Sequence, residues 1–184
     1  MWKNFCNWLL YKRMGWTAEV TEDHPEKFII CLAPHTSNWD FLIGQLYIGA
    51  RGMQSNFLMK KEWFFWPFGT LFRRMGGIPV HRQKHTSMTD SMAETAKAAK
   101  TFHLCITPEG TRSKNPEWKK GFYFIALKAG LPILLYGIDY EKKHIQCTKT
   151  IIPSGDLETD MREIKLYFKD FKGKKPENFT IGEV

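Results

Sequence analysis

The chain reads as a single α/β domain built on a mixed, largely parallel β-sheet covered by helices, and three observations predict this. Short apolar runs alternate with helix-period segments from about residue 27 to 170, and strands separated by helices need crossover connections, which pair them in parallel. No Pro/Gly/Ser-rich linker, low-complexity tract or fixed-period repeat breaks that alternation. A length of 184 residues with 43% hydrophobic content is enough for one core without disulfides or metals. Three stretches are distinguished along it: an amphipathic N-terminal segment over residues 1–26, the main domain over 27–171, and a basic tail over 172–184.

In chain order, MWKNFCNWLLYKRMGW (1–16) sets Trp2, Phe5, Leu9 and Trp16 near helical spacing, with Lys3, Lys12 and Arg13 among them. Such a helix suits the headgroup boundary of a membrane, and it equally suits packing on its own domain. KFIICLAP (27–34) is a buried strand that stops at Pro34, so His35 falls at its carboxyl edge. Ser37 or Asn38 can cap the helix that follows, with Asp40 in its first turn and Phe41, Leu42, Gln45, Leu46 and Ile48 as its apolar face. NFLMK (56–60) is a short strand closing on Lys60. WFFWPFGTLF (63–72) lies between Lys60 and Lys61 on one side and Arg73 and Arg74 on the other. Large rings flanked by cations read as core or as lipid contact, and a membrane or acyl-chain contact is the favoured reading.

GIPV (77–80) is a strand ending beside Arg82. Thr86 to Lys100 is a helix with Met88, Met92, Ala96 and Ala99 along one side, and FHLCIT (102–107) is a strand that delivers PEGTR into a loop. Lys119 to Ala129 is a helix, and Pro132 to Ile138 and Ile145 to Ile152 are strands. Asp156 or Thr159 caps a last amphipathic helix reaching about Phe171, after which the lysine-rich tail reads as frayed.

Composition narrows the function classes. Cys6, Cys31, Cys105 and Cys147 are widely spaced with no C-x-x-C pair, which argues against a zinc site or a disulfide framework and for a reducing compartment. No run of about 18 apolar residues is present, and Lys3, Asn4 and Asn7 interrupt any signal-peptide core. The expectation is therefore a cytoplasmic protein, peripheral on the inner face of a membrane. A net charge of +8 and 15% aromatic residues, seven of them Trp, call for an anionic partner: nucleic acid, an anionic membrane surface or an acidic small substrate. No nucleic-acid motif is present, so no nucleic acid is expected, and a non-enzymatic basic nucleic-acid- or lipid-binding domain stands as the distant alternative.

In open sheets, ligands gather outside the carboxyl ends of the strands. Three such ends carry His35, Arg82 and the run Glu109, Gly110, Thr111, Arg112. His35 and Asp40 form an H-x4-D pair, and a strand-to-helix turn lets the carboxylate come back to the imidazole. A carboxylate on one ring nitrogen fixes the tautomer and leaves the other nitrogen free to take a proton from an alcohol. Gly110 suits a tight turn with φ > 0, in which Arg112 is either solvated or, beside Gly amides and a Thr hydroxyl, cradles a phosphate monoester, with Arg82 as a second fork; Lys60 reads first as a solvated lysine and second as a third charge. No G-x-S-x-G elbow is present and Cys31 sits inside an apolar run, so direct transfer is expected rather than a covalent acyl-enzyme.

Residues 28 to 136 resemble the lysophosphatidic acid acyltransferase (PlsC-like, glycerophospholipid acyltransferase) family. HTSNWD (35–40), GGIPVHR (76–82), PEGTRS (108–113) and LPI (131–133) are similar to its four blocks, in order, and Lys60, Glu62 and Pro67 are similar to the stretch between the first two. The resemblance implies a glycerolipid-acyltransferase-like fold, with His35 as general base oriented by Asp40. It implies an acyl thioester donor, acyl-CoA or acyl-carrier protein, as co-substrate, with no metal and no bound cofactor. It also implies a lyso-lipid acceptor whose phosphate is held by the Glu109 to Arg112 block and Arg82, with backbone N–H groups near Gly110 facing the oxyanion. The implied product is phosphatidic acid from 1-acyl-glycerol-3-phosphate, and an aminoacyl lipid or glycolipid is the alternative acceptor. Pro34, His81, Thr107 and Leu135 depart from the family's usual residues and leave the acceptor open.

Overall fold

The computed structural model describes residues 1–80 and 85–184. Helix α1 (Trp2–Asn7) runs straight into a π-helical turn, Trp8–Arg13. Strand β1 (Thr17–Val20) follows, then β2 (Lys27–Ala33), α2 (Trp39–Arg51), β3 (Asn56–Lys60), α3 (Phe68–Arg74) and β4 (Gly77–Val80). After these come α4 (His85–Ala98), β5 (Phe102–Ile106), α5 (Gly121–Ala129), β6 (Ile133–Asp139), β7 (His144–Cys147), β8 (Thr150–Ile151) and α6 (Leu157–Tyr167). The strands lie in the order β1-β7-β6-β2-β5-β3-β4. The β6-β2-β5-β3-β4 portion is parallel, while β7 and β8 pair antiparallel with β6. β2 and β5 are neighbours with Cys31 opposite Ile106, so their carboxyl ends open on one edge.

Both faces of the sheet are covered, which explains the unbroken apolar run of β2. Ile29, Cys31 and Ala33 point into a core shared with Phe122, Ile125 and Ala126 of α5 and Met161 and Ile164 of α6. Phe28 and Ile30 point the other way, into a core with Cys6 and Leu10 from the N-terminal helix and Ile43, Leu46, Tyr47 and Ala50 of α2. The inward face of α2 is therefore formed by Ile43, Leu46, Tyr47 and Ala50, so of the expected face Leu46 lies in it whereas Leu42 is exposed. The reason is the tight seat of α1: a Cβ on Gly49 would stand 2.6 Å from Cys6 Sγ, and that neighbour lies far away in sequence.

Three further expectations change. Thr17–Val20, read as part of the N-terminal segment, is a sheet strand in parallel register with β7, and Trp16 beside it is buried, as the packing alternative for that segment has it. The single strand expected over Ile145 to Ile152 is two strands. Gly137 faces Gln146 and Leu134 faces Thr150, so three steps along β6 match four along its partner, which is a β-bulge. The last helix ends at Tyr167 rather than near Phe171, though Asp156 caps it as expected, accepting from Glu158 N–H and Thr159 N–H.

The tail is docked, not frayed. Phe179 and Ile181 pack on the first core, Trp118 Nε1–H donates to Thr180 O at 3.1 Å, and Lys175 N–H donates to Thr36 Oγ1 at 3.1 Å. Its lysines face water while a few apolar residues hold the chain down, which composition alone conceals.

Gly137 in mid-β6 is a point of close approach, since an added Cβ would fall 1.9 Å from the Phe171 ring. That ring packs at tilted angles against Tyr167 and Phe168, which it must disturb to yield. Gly137→Ala is expected to destabilise the fold by about 1–3 kcal/mol through overpacking, read as a lower midpoint in urea unfolding with unchanged slope.

Candidate active site

β2 delivers His35 two residues past its end, and α2 begins at Trp39. The turn between them is closed by Asp40 itself. Asp40 is 0% exposed, and its Oδ2 accepts the N–H groups of Thr36 (2.8 Å) and Ser37 (2.9 Å). The same Oδ2 stands 3.1 Å from His35 Nδ1, an ion-pair distance without the straight N–H···O line of a full hydrogen bond. Ser37 Oγ accepts from Trp39 N–H at 3.2 Å, while Asn38, at the N-cap, makes no side-chain cap bond. The helix start is thus held by a carboxylate that also faces the imidazole.

Glu109 was expected to line a phosphate cradle with its neighbours. Instead it is turned inward, 2% exposed, and its two carboxyl oxygens accept the His35 backbone N–H at 2.9 and 3.1 Å. The parallel pairing of β2 with β5 makes this contact available. Burial pushes the Glu109 carboxyl up to about 8, the His35 amide opposes that shift, and the nearby Asp40 charge adds to it. Gly110 has φ +67°, as a turn glycine should. Its own N–H is taken by Thr107 O at 3.2 Å, so of the backbone amides expected to face an oxyanion near it this one is already engaged.

Asn115 staples the far side of the loop, its side-chain amide donating to Glu109 O (2.8 Å) and Glu117 O (2.9 Å). Thr111 and Arg112 stand exposed at the tip, and Arg112 forms no ion pair among the described residues. β3 ends on Lys60 one strand beyond β5, at the same edge; its side chain lies outside the described set, and Arg82 lies outside the described residues. Two residues not singled out from sequence also join the site. Thr36 is buried, and a Cβ on Gly173 would stand 2.6 Å from its Oγ1; Asn115 is the other. Both are ordinary polar residues whose partners lie far along the chain, so no local signal marks them.

A sequence model of the family described as Acyltransferase matches residues 17–138. The chain belongs to that family. As an acyltransferase it is similar to 1-acyl-sn-glycerol-3-phosphate acyltransferases of two plants. It is 39% identical to the Cocos nucifera protein over 83 residues, covering 42% of this chain and 27% of that one. It is 32% identical to the Limnanthes douglasii protein over 120 residues, covering 61% of this chain and 41% of that one. The chain thus spans less than half the length of the curated relatives it matches. In fold the acyltransferase is like the crystal structure of the 1-acyl-sn-glycerophosphate acyltransferase PlsC from Thermotoga maritima, with TM-score 0.58 and 20% identity over 88% of this chain and 72% of that one. This agrees with the expected single α/β domain.

The Glu109 carboxyl has a pH consequence. The folded chain keeps this proton up to about pH 8, whereas an unfolded glutamate releases it near 4.5. Between those values the unfolded state binds fewer protons, so this group's contribution to stability falls as pH rises. Glu109→Gln, neutral throughout and still able to accept from the His35 amide, is expected to flatten the fall of Tm across that window. Glu109→Ala, which leaves the amide unpaired, is expected to lower stability at every pH by about 1–3 kcal/mol.

Proposed function

We propose that this acyltransferase moves a fatty acyl group from an acyl thioester, acyl-CoA or acyl-carrier protein, to the hydroxyl of a lyso-lipid, and that the acceptor is 1-acyl-glycerol-3-phosphate. The observation that carries the reading is His35 Nδ1 held 3.1 Å from a fully buried Asp40 at the open edge of the sheet, with Arg112 on the neighbouring loop. The names of the plant relatives favour a phosphorylated acceptor.

In the reaction, the free nitrogen of His35 takes the proton of the acceptor hydroxyl as the oxygen attacks the thioester carbonyl. Asp40 stabilises the imidazolium that forms. The tetrahedral intermediate then collapses, the C–S bond breaks, and the thiolate recovers the proton from His35, leaving a new ester. Arg112 offers a fork for the phosphate of the acceptor, and among the described residues no carboxylate holds it in an ion pair. No metal or resident cofactor enters this scheme.

His35→Ala is expected to reduce acyl transfer to lysophosphatidic acid in liposomes by at least about 10³-fold with either donor, the scale of losing a positioned general base; retained product would overturn the reading. Arg112→Ala is expected to raise KM for the phosphorylated acceptor at least about tenfold while changing kcat much less. Full activity of that variant on a non-phosphorylated lyso-lipid, with none lost on lysophosphatidic acid, would point to the other acceptor class.

On the same reading the enzyme works at the anionic inner face of a membrane, from the cytoplasm. Trp63, Phe65, Phe68 and Leu71 are exposed and Trp66 is 88% exposed, beside Lys61, Arg73 and Arg74. Trp2, Phe5 and Trp8 form a second exposed set on the N-terminal helix, whose other side, Cys6 and Leu10, is buried. Exposed rings flanked by cations support an interfacial seat, and four free cysteines support a reducing compartment. No described helix is long and apolar enough to cross a membrane. Replacing Phe65 and Trp66 together with Ala is expected to weaken binding to phosphatidylglycerol-containing vesicles at least about tenfold in co-sedimentation, with Tm unchanged because neither ring is in the core.

A further inference from the structure

Only one oxygen of the buried Asp40 is accounted for. Oδ2 takes two amides and faces His35, while Oδ1 has no hydrogen-bond partner among the described residues. A second buried orphan stands nearby, the hydroxyl of Tyr140. Tyr140 is the residue after β6, and β6 pairs in parallel with β2 with Gly137 opposite Ala33, so His35 and Tyr140 leave adjacent strands at the same edge. Tyr140 also lines a cavity of ≈ 810 Å³ together with Trp39 and Ile43 of α2, Arg13, Lys172 and Lys174. Asp40 follows Trp39 and lies one turn before Ile43, hence on the helix side that meets the tyrosine.

The electrostatics agree with the geometry. Burial raises the Tyr140 hydroxyl well above its usual range, and the neighbouring Asp40 carboxylate raises it further. A buried carboxylate oxygen and a buried hydroxyl each left unpaired are both costly, and one hydrogen bond between them removes both penalties. The ring is already held for it. Trp16 meets it edge-on at 5.1 Å, Lys174 Nζ sits over it at 5.6 Å, and its own N–H donates to Lys172 O at 2.8 Å. The open cavity leaves room for the small turn the hydroxyl needs.

We propose that Tyr140 is a positioning residue for the His35–Asp40 pair: its hydroxyl donates to Asp40 Oδ1, fixing the carboxylate plane so that Oδ2 stays on His35 Nδ1. The catalytic consequence rests on the reading of His35 as general base; the orienting role does not. The charged groups that face this corner are Glu109 from the β5 loop, Arg13 from the N-terminal helix, Glu141 and Lys143 after β6, and Lys172 and Lys174 from the tail, whereas the Tyr140 hydroxyl is a neutral donor that leaves the charge of the carboxylate unchanged. Tyr140 lies beyond the four sequence blocks, which is why motif reading passes over it.

Tyr140→Phe keeps the ring contacts and removes only the donor. The expected result is a fall in kcat of about 10- to 100-fold, the scale of one hydrogen bond to a charged group, with both KM values within about twofold and Tm little changed. In an Asp40→Asn background the same substitution should change kcat by less than about twofold, because a residue acting through Asp40 has nothing left to orient. ¹⁵N NMR of the histidine ring gives a readout independent of turnover: His35 should be the Nδ1–H tautomer in the parent protein and a tautomer mixture in Tyr140→Phe. An unchanged kcat with an unchanged tautomer would overturn the proposal, as would an equal loss of kcat in the Asp40→Asn background. A changed tautomer in a protein whose His35→Ala variant still transfers acyl groups would sustain the orienting role and remove the general-base reading alone.

Discussion

The parallel pairing of β2 with β5 governs the geometry of the site, because it brings two distant loops to one edge and lets Glu109 accept the backbone N–H of His35. A backbone tied at that point cannot drift, and the imidazole inherits its position. From the other side Asp40 gathers the amides of Thr36 and Ser37 into its Oδ2, so the turn that presents His35 is built around the same carboxylate that faces its ring. Two buried carboxyls therefore do different work: Glu109, protonated below about pH 8, holds the main chain, and Asp40 holds the side chain.

Around this centre the molecule divides its surface by charge and apolarity. The loop of Gly110 to Arg112 stands out with an exposed cation, and rings near Trp66 and on the N-terminal helix face solvent beside lysines and arginines. The tail, although lysine-rich, closes the structure by docking Gly173 and Lys175 against Thr36, one residue from the proposed base. An amphiphilic substrate and a charged surface are compatible with such a layout, since the polar edge of the sheet and the exposed rings lie on elements linked through β3 and α3.

Much of this was legible in the residues. The H-x4-D spacing anticipated the His35–Asp40 contact, because a strand-to-helix turn leaves few other places for the carboxylate, and Gly110 anticipated its own positive φ. Other parts were not. The inward face of α2 shifted because α1 packs closely over Gly49, and the strand expected over Ile145 to Ile152 broke at a bulge set by its neighbour β6. Glu109 read as part of a phosphate site because its neighbours are exposed and polar, yet a glutamate and an arginine three residues apart in a turn can face opposite ways.

The sequence by itself determined the layering, the strand ends that carry chemistry and the pairing of His35 with Asp40, since these depend on periodicity and on contacts within a few residues. Only the tertiary structure decided that Glu109 serves the backbone of His35, that Tyr140 is held between Trp16 and the tail, and that residues 172–184 are part of the body. Those outcomes depend on which strands become neighbours and on how buried polar atoms find partners across more than seventy residues of chain. Such choices are made by the whole packed molecule, where an unpaired buried group is costly, and no local pattern records them.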